Sequence, residues 1–270
     1  MTVEKILMNF LEQLISFVGF VFLVGFIISL LNRAFYSLTG NKRWVVYATG
    51  FIGTPIHELS HAAMCIVFGH KINEIKLFQI GSEDGTLGYV THSSNPKNIY
   101  HRIGQYFIGV APIFVGSVVL YFAMMYFLPE THNEINLTFS KLNASAGSFA
   151  WFENFGDAFV GVMQSILDEF PTSILGWVFI ILSMCIALHM NLSRADLKGA
   201  VGAVPLLAIV LLAVNFILGF ASKSLYADFL GVMASAGIFV ALMLSLSLIL
   251  SLFCVAVALA PRAVLSIVKR

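Results

Sequence analysis

Charge is the scarcest commodity in this 270-residue chain. Only 11% of its residues are Asp, Glu, Lys or Arg, against about 25% in an ordinary soluble domain. That shortage excludes a water-soluble globular enzyme and a disordered chain, both of which need a charged, solvated surface. The net charge of +1 leaves no electrostatic footprint for DNA or RNA, so no nucleic-acid partner is expected. Cysteine is scarce as well. The three present, Cys65, Cys185 and Cys254, each sit inside an apolar run. They neither pair by spacing nor cluster like metal ligands, and they read as small buried hydrophobes. Internal repeats and low-complexity tracts are missing too. What is there is apolar: 59% of residues are hydrophobic and mean hydropathy is +0.91. This is the composition of a multi-pass integral membrane protein, with the lipid bilayer as its first partner.

A spanning helix needs about 20 mostly apolar residues. Six stretches qualify: 14–31, 44–68, 103–128, 174–188, 201–220 and 230–260. The expected fold is therefore all-α and polytopic, with about six transmembrane helices. A small β-hairpin is inserted after the second, from strand-like runs at 72–80 and 86–92 around Gly81 and Gly85. Residues 1–270 read as one domain. Glu4 and Glu12, in place of a basic leader, make the first span an expected retained anchor. The 129–171 segment is acidic, and 149–170 within it looks amphipathic. Sequons at Asn136 and Asn143 carry meaning only in a secretory-pathway host. With six spans, ten of the fifteen Lys/Arg fall on the side of the two termini and residues 71–102. The positive-inside bias then puts both termini in the cytoplasm, and a bacterial plasma membrane is the expected location.

The second stretch is the unusual one. It reads His57-Glu58-Leu-Ser-His61, the pattern H-E-x-x-H. On a helix, positions i and i+4 share a face, so both imidazoles can reach one Zn²⁺. Glu58 is turned away by one residue and suits a general base rather than a ligand. Zinc lowers the pKa of the water it binds to about 7, which makes hydroxide available at neutral pH. A polar helix face that merely satisfies itself is the plain alternative. Inside a span, however, an acidic side chain costs about 2.5–3.5 kcal/mol even on lenient scales. Three ionisable residues in five positions need compensation, and a cation supplies it. Gly50, Gly53 and Thr54 precede His57 on the same face and admit a closely packed helix or substrate. Pro55 weakens the helix there, as a kink or as an opening for water.

A catalytic zinc usually has three protein ligands. In the six-span topology the motif lies toward the cytoplasmic side, as does the segment 189–199 after the fourth span. Asp196 is the leading candidate for the third ligand, with His189 and Asn191 as alternatives and His70 behind them. Asp196 also completes Ser193-Arg-Ala-Asp196, a capping-box pattern that starts a helix. His92 and His101 read as ordinary interfacial histidines. In the third span, Gly109, Gly116 and Ala123 form a small-residue stripe suited to close helix packing.

From His57 through Gly69 to Ile72, and again at Asp196-Leu-Lys-Gly199, the chain resembles the site-2 protease-like family of intramembrane zinc metalloproteases, as a divergent member. The resemblance implies His57, His61 and Asp196 as zinc ligands, Glu58 as the catalytic base, and a membrane-dipping β-sheet at residues 72–92. It implies a zinc endopeptidase that hydrolyses a peptide bond of a transmembrane protein or peptide near the cytoplasmic face. The hairpin could then offer a strand edge to an extended substrate. The competing reading is a non-enzymatic metal-binding membrane protein, either a metal carrier or a degenerate protease fold that binds a partner. Polar residues concentrate on one span and one loop instead of lining a path, and Glu58 is intact, so the enzyme is favoured.

Overall fold

The computed structural model describes residues 2–144 and 150–268. The Asn143 sequon reaches beyond these, as does residue 149 of the expected amphipathic stretch. Among the described residues the chain is helical apart from one small hairpin and the connecting loops. A first long helix comprises α1 (Val3–Leu14), a π turn at Ile15–Gly19 and α2 (Phe20–Leu38). Next come α3 (Arg43–Val67), β1 (Lys71–Lys76) and β2 (Tyr89–Ser93). Then follow α4 (Ile99–Gly109), α5 (Ala111–Phe127), α6 (Pro129–Ala144) and α7 (Ala150–Glu169). The last three are α8 (Ile174–His189), α9 (Arg194–Ala221) and α10 (Lys223–Val268).

Among the described residues, three helices are long and apolar enough to cross a membrane: Val3–Leu38, Arg194–Ala221 and Lys223–Ala260. A fourth span is available if α4 and α5 count as one. Length and composition thus support a membrane protein with three or four of the six expected spans. The 103–128 stretch, expected as one span, bends by 59° between α4 and α5. The cause is Pro112, which has no N–H to continue the helix. The 16-residue α8 is apolar but short. In the 25-residue α3, the apolar run is interrupted by His57, Glu58 and His61.

The distribution of side chains suits lipid. Phe51, Ile66, Ile174, Ile209, Ile217 and Val232 are exposed, while Asn9, Gln13, Asn32 and Asn215 are buried. In hydrocarbon each buried amide needs a partner. Gln13 and Asn215 supply one another, with Asn215 Nδ2 donating to Gln13 Oε1 at 2.8 Å and Gln13 Nε2 donating back at 3.3 Å. Tyr226 donates its hydroxyl to Asn215 Oδ1 at 2.9 Å and accepts from Asn9 at 3.1 Å. This closed set ties α1, α9 and α10 together. Apolar packing does the rest. One cluster gathers Leu120, Met124, Phe179, Ile186, Leu242 and Leu246, and another gathers Val21, Ile28, Tyr106, Ile113 and Leu244. The three cysteines are free and buried.

Helix α3 stops at a glycine in the left-handed region. Gly69 has φ +69°, which lets His70 N–H bond back to Cys65 O at 2.8 Å and aims the chain into β1. The hairpin is antiparallel, with Ile75 opposite Val90 and Ile72 opposite His92, and an irregularity between Ile72 and Glu74. Its strands are shorter than the sequence runs suggested. Beyond Lys76 only Gln79 N–H to Leu87 O, at 2.7 Å, continues the pairing. The turn between them uses Gly81 and Gly85, with φ of +81° and +78°.

Candidate metal centre

The H-E-x-x-H residues lie in the second half of α3, and the helical period puts both histidines on one face. The two imidazoles face each other with Nε2 to Nε2 at 3.1 Å. His61 Nε2 lies 3.5 Å from Asp196 Oδ1. Ligand atoms of His57, His61 and Asp196 all lie within 4.8 Å of one another, and Glu58 stands outside this group.

The orientation of the rings follows from helix ends. His57 Nδ1 is 2.7 Å from His189 O, and His61 Nδ1 is 2.8 Å from Ile108 O. A carbonyl only accepts, so each Nδ1 carries the proton and each neutral Nε2 is bare. Both carbonyls are available for a reason. His189 is the last residue of α8, where carbonyls lose their helical partners. Ile108 O would bond to the N–H of residue 112, and that residue is Pro112. The bend that splits the expected third span thus frees the acceptor that orients His61.

Asp196 is presented by the start of α9. Its Oδ2 accepts from Ser193 N–H at 2.9 Å, and Ser193 Oγ accepts from Asp196 N–H at 3.1 Å. This is a complete capping box. One carboxylate oxygen fixes the helix start and the other faces His61. Close packing brings this turn to the histidines. A Cβ on Gly109 would lie 2.5 Å from Asp196 O and 2.8 Å from Ala200 Cβ, so only glycine lets α4 and α9 cross there.

The donor set fits zinc. Two bare imidazole nitrogens facing each other at 3.1 Å have no proton to share, and a carboxylate oxygen stands beside them. A tetrahedral site with bonds of about 2.0–2.2 Å has ligand–ligand edges of about 3.3–3.6 Å, close to both separations.

The other candidates have different duties. His189 packs its ring over Gly53 and contributes its backbone carbonyl, not its imidazole. Its Nδ1 donates to Cys185 O at 3.0 Å, and Tyr36 lies 3.5 Å from its Nε2. Asn191 Oδ1 accepts from Asn32 at 2.9 Å, and its Nδ2 donates to Leu188 O at 3.1 Å. Asn32 also donates to Ala187 O at 3.0 Å, so it clamps the end of α8. His70 belongs to a second cluster with His92 and His101. The small residues ahead of His57 are used as expected. A Cβ on Gly53 would strike Cys185 O and the His189 ring, and one on Gly50 would meet Leu87 Cδ1 at 2.9 Å.

The hairpin closes one side of the site. Gly88 lies against α3, where a Cβ would meet Thr54 Cγ2 at 2.8 Å and Glu58 Cγ at 2.9 Å. Glu58 is buried there, and Thr54 Oγ1 is buried with no hydrogen-bond partner among the described residues. Sequence reasoning missed the His70–His92 pair, Asn32, and the role of Pro112. Only Pro112 had a local signal, since a proline inside a span always orphans a carbonyl one turn back.

Residues 50–152 match a sequence family described as "Putative zincin peptidase". The matched stretch includes the H-E-x-x-H motif and the hairpin, and ends before Asp196. No curated protein and no solved structure matches the chain. The match supports a zinc metallopeptidase, and the apolar helices support a membrane protein.

Proposed function

We propose that this chain is an intramembrane zinc endopeptidase of the site-2 protease-like kind, which hydrolyses a peptide bond of a transmembrane protein near the cytoplasmic face. The observation that carries this reading is the pair of bare Nε2 atoms at 3.1 Å with Asp196 Oδ1 beside them. His57, His61 and Asp196 would hold the metal. When bound, zinc acidifies water and polarises the scissile carbonyl.

The remaining chemistry belongs to the protein. Glu58 takes a proton from water at its carboxylate and delivers it to the amide nitrogen as the C–N bond breaks. Its burial against Gly88 and Thr54 keeps bulk water away from that transfer. The carbonyls of His189 and Ile108 hold the ligand rings in the required tautomer, an outer layer that typically matters 10–100-fold for metal affinity. A transmembrane substrate must unwind locally first, because helical peptide bonds are shielded and already hydrogen-bonded. The cytoplasmic placement of both termini and the bacterial plasma membrane complete the proposal.

Glu58→Gln tests it. In purified protein in detergent, zinc content stays at the wild-type level while cleavage of a panel of single-span substrates falls by about 10²–10⁴. His57→Ala loses zinc and cleavage together. A Glu58→Gln variant that cleaves as well as wild type refutes the proposal and leaves the non-enzymatic metal-binding reading.

A further inference from the structure

The hairpin carries a histidine pair that this chemistry does not use. His70 is buried, with 5% exposure, at the turn that follows α3. Its Nε2 lies 2.9 Å from His101 O, which only accepts, so Nε2 carries the proton. Its bare Nδ1 lies 3.1 Å from Nδ1 of His92. That contact is a hydrogen bond when His92 is protonated on Nδ1, and the Nε2 of neutral His92 is then an acceptor. One backbone carbonyl sets two tautomers in series, as His189 O and Ile108 O do singly for the ligand histidines.

The position of His92 gives that acceptor a use. Side chains two apart on a strand share a face, so Gly88, Val90 and His92 lie together while Thr91 and Ser93 are exposed. Gly88 touches Thr54 and Glu58. The strand therefore continues along α3 from the level of Glu58. Ser94, two residues further along the same face, accepts from Gln105 Nε2 at 3.3 Å, and Gln105 Oε1 lies 3.4 Å from where a Cβ on Gly199 would stand, one turn beyond Asp196. Burial first, then His70 and His61, hold its pKa below the ordinary histidine value, with Asp196 opposing. The neutral ring required by the tautomer argument is thus the one its surroundings favour.

We propose that His92 contacts the substrate, with its Nε2 accepting a hydrogen bond from a backbone N–H beside the scissile bond, and that His70 is the positioning residue that keeps this nitrogen bare. The proposal rests on the hydrolytic reading above. A segment drawn out of its own helix has lost the acceptors for its N–H groups, and a fixed acceptor on the strand that borders the site replaces one of them. His92 gains no proton in the reaction. The balance of hydrolysis stays with water, Glu58 and the amide nitrogen.

Two measurements on the full chain in detergent test it. The first uses [¹⁵N]histidine-labelled protein, with His92 assigned by its loss in His92→Asn. Two-bond ¹H–¹⁵N spectra should show His92 as the Nδ1–H tautomer, and His70→Phe should return it to Nε2–H. An Nε2–H tautomer in the wild type overturns the proposal. The second compares zinc-loaded binding of a leucyl-peptide hydroxamate, which has a backbone N–H next to its metal-binding group, with that of acetohydroxamate, which has no such N–H. His92→Asn should weaken the peptide hydroxamate about tenfold and leave acetohydroxamate unchanged. His92→Gln, whose side-chain carbonyl reaches the Nε2 position, should restore binding. Equal weakening of both probes, or of neither, overturns the substrate role. Failure of the hydrolytic reading would appear separately, as missing zinc or as a cleaving Glu58→Gln, and the tautomer measurement does not depend on either.

Discussion

Gly109→Ala moves Asp196 without altering it. The new Cβ would stand 2.5 Å from Asp196 O and 2.8 Å from Ala200 Cβ. Both obstacles belong to the first turns of α9, and one of them is backbone, which cannot swing aside. To recover ordinary contact, α9 must retreat from α4 by about 0.5–0.9 Å. The capping box binds Asp196 to Ser193, so the carboxylate travels with the helix. It starts 3.5 Å from His61 Nε2. Metal ligands must be held within about 0.5 Å of their working geometry, so a shift of this size should weaken zinc by about 10–100-fold, or roughly 1.4–2.7 kcal/mol. Helix propensity works in the opposite direction, because alanine is favoured over glycine by about 1 kcal/mol. The loss of zinc is therefore expected without loss of fold. Gly116→Ala is the matched control. The three atoms nearest its Cβ would all belong to the flexible Met190 side chain, from 3.1 Å, which can retreat. The assay is competition for zinc against a chromophoric chelator in detergent, with thermal unfolding recorded alongside. Wild-type zinc affinity in Gly109→Ala, or an equal loss in Gly116→Ala, would refute the account of how Asp196 reaches the site.

Other outcomes follow from the same structure. Single cysteines at Ser94 and Ser140, in a background free of other cysteines, should label from opposite faces of sealed vesicles, and labelling from one face would overturn the six-span topology. Asn215→Leu removes three side-chain hydrogen bonds to Gln13 and Tyr226. At about 0.6 kcal/mol each in a membrane interior, it should destabilise the protein by about 2 kcal/mol in denaturant titrations in detergent, and an unchanged midpoint would refute the tie between α1, α9 and α10. Thr86 donates its N–H and hydroxyl to Asp84 at 3.0 and 2.7 Å, and these bonds hold the Asp84 pKa below the ordinary carboxylate value. The hairpin tip should therefore stay ordered above the usual Asp range and loosen as pH falls through the lowered pKa, seen as loss of Thr86 amide protection. Protection that survives full acidification would count against it.

Much of this protein is local, and what is local was legible in the sequence. Apolar composition places the chain in a membrane because hydrophobic transfer depends on residue type and run length. Two histidines four apart share a face because the helical period is fixed, so His57 and His61 needed no tertiary information. Ser193 and Asp196 cap a helix because their side chains reach only their own backbone. Gly69 ends α3 because the reversal there needs a left-handed residue. The tertiary structure decided everything that depends on distant partners. His57 is held by the carbonyl of His189 and His61 by that of Ile108, across 132 and 47 residues. Asp196 meets His61 because glycine at 109 lets two helices cross closely, and no local pattern states which helix crosses which. His189 and Asn191, the alternatives to Asp196 by sequence, have donors and acceptors engaged elsewhere, with Cys185 O, Asn32 and Leu188 O, and only the tertiary structure shows that. His70, the last of the candidates for a third ligand, and His92, read as an ordinary interfacial histidine, had no visible connection until strand register and the turn after α3 set them side by side. The physical reason is common to all of these. Periodicity and capping are settled within a few residues of the chain, whereas the tautomer of a ring and the approach of a carboxylate depend on which atoms the whole fold places next to them.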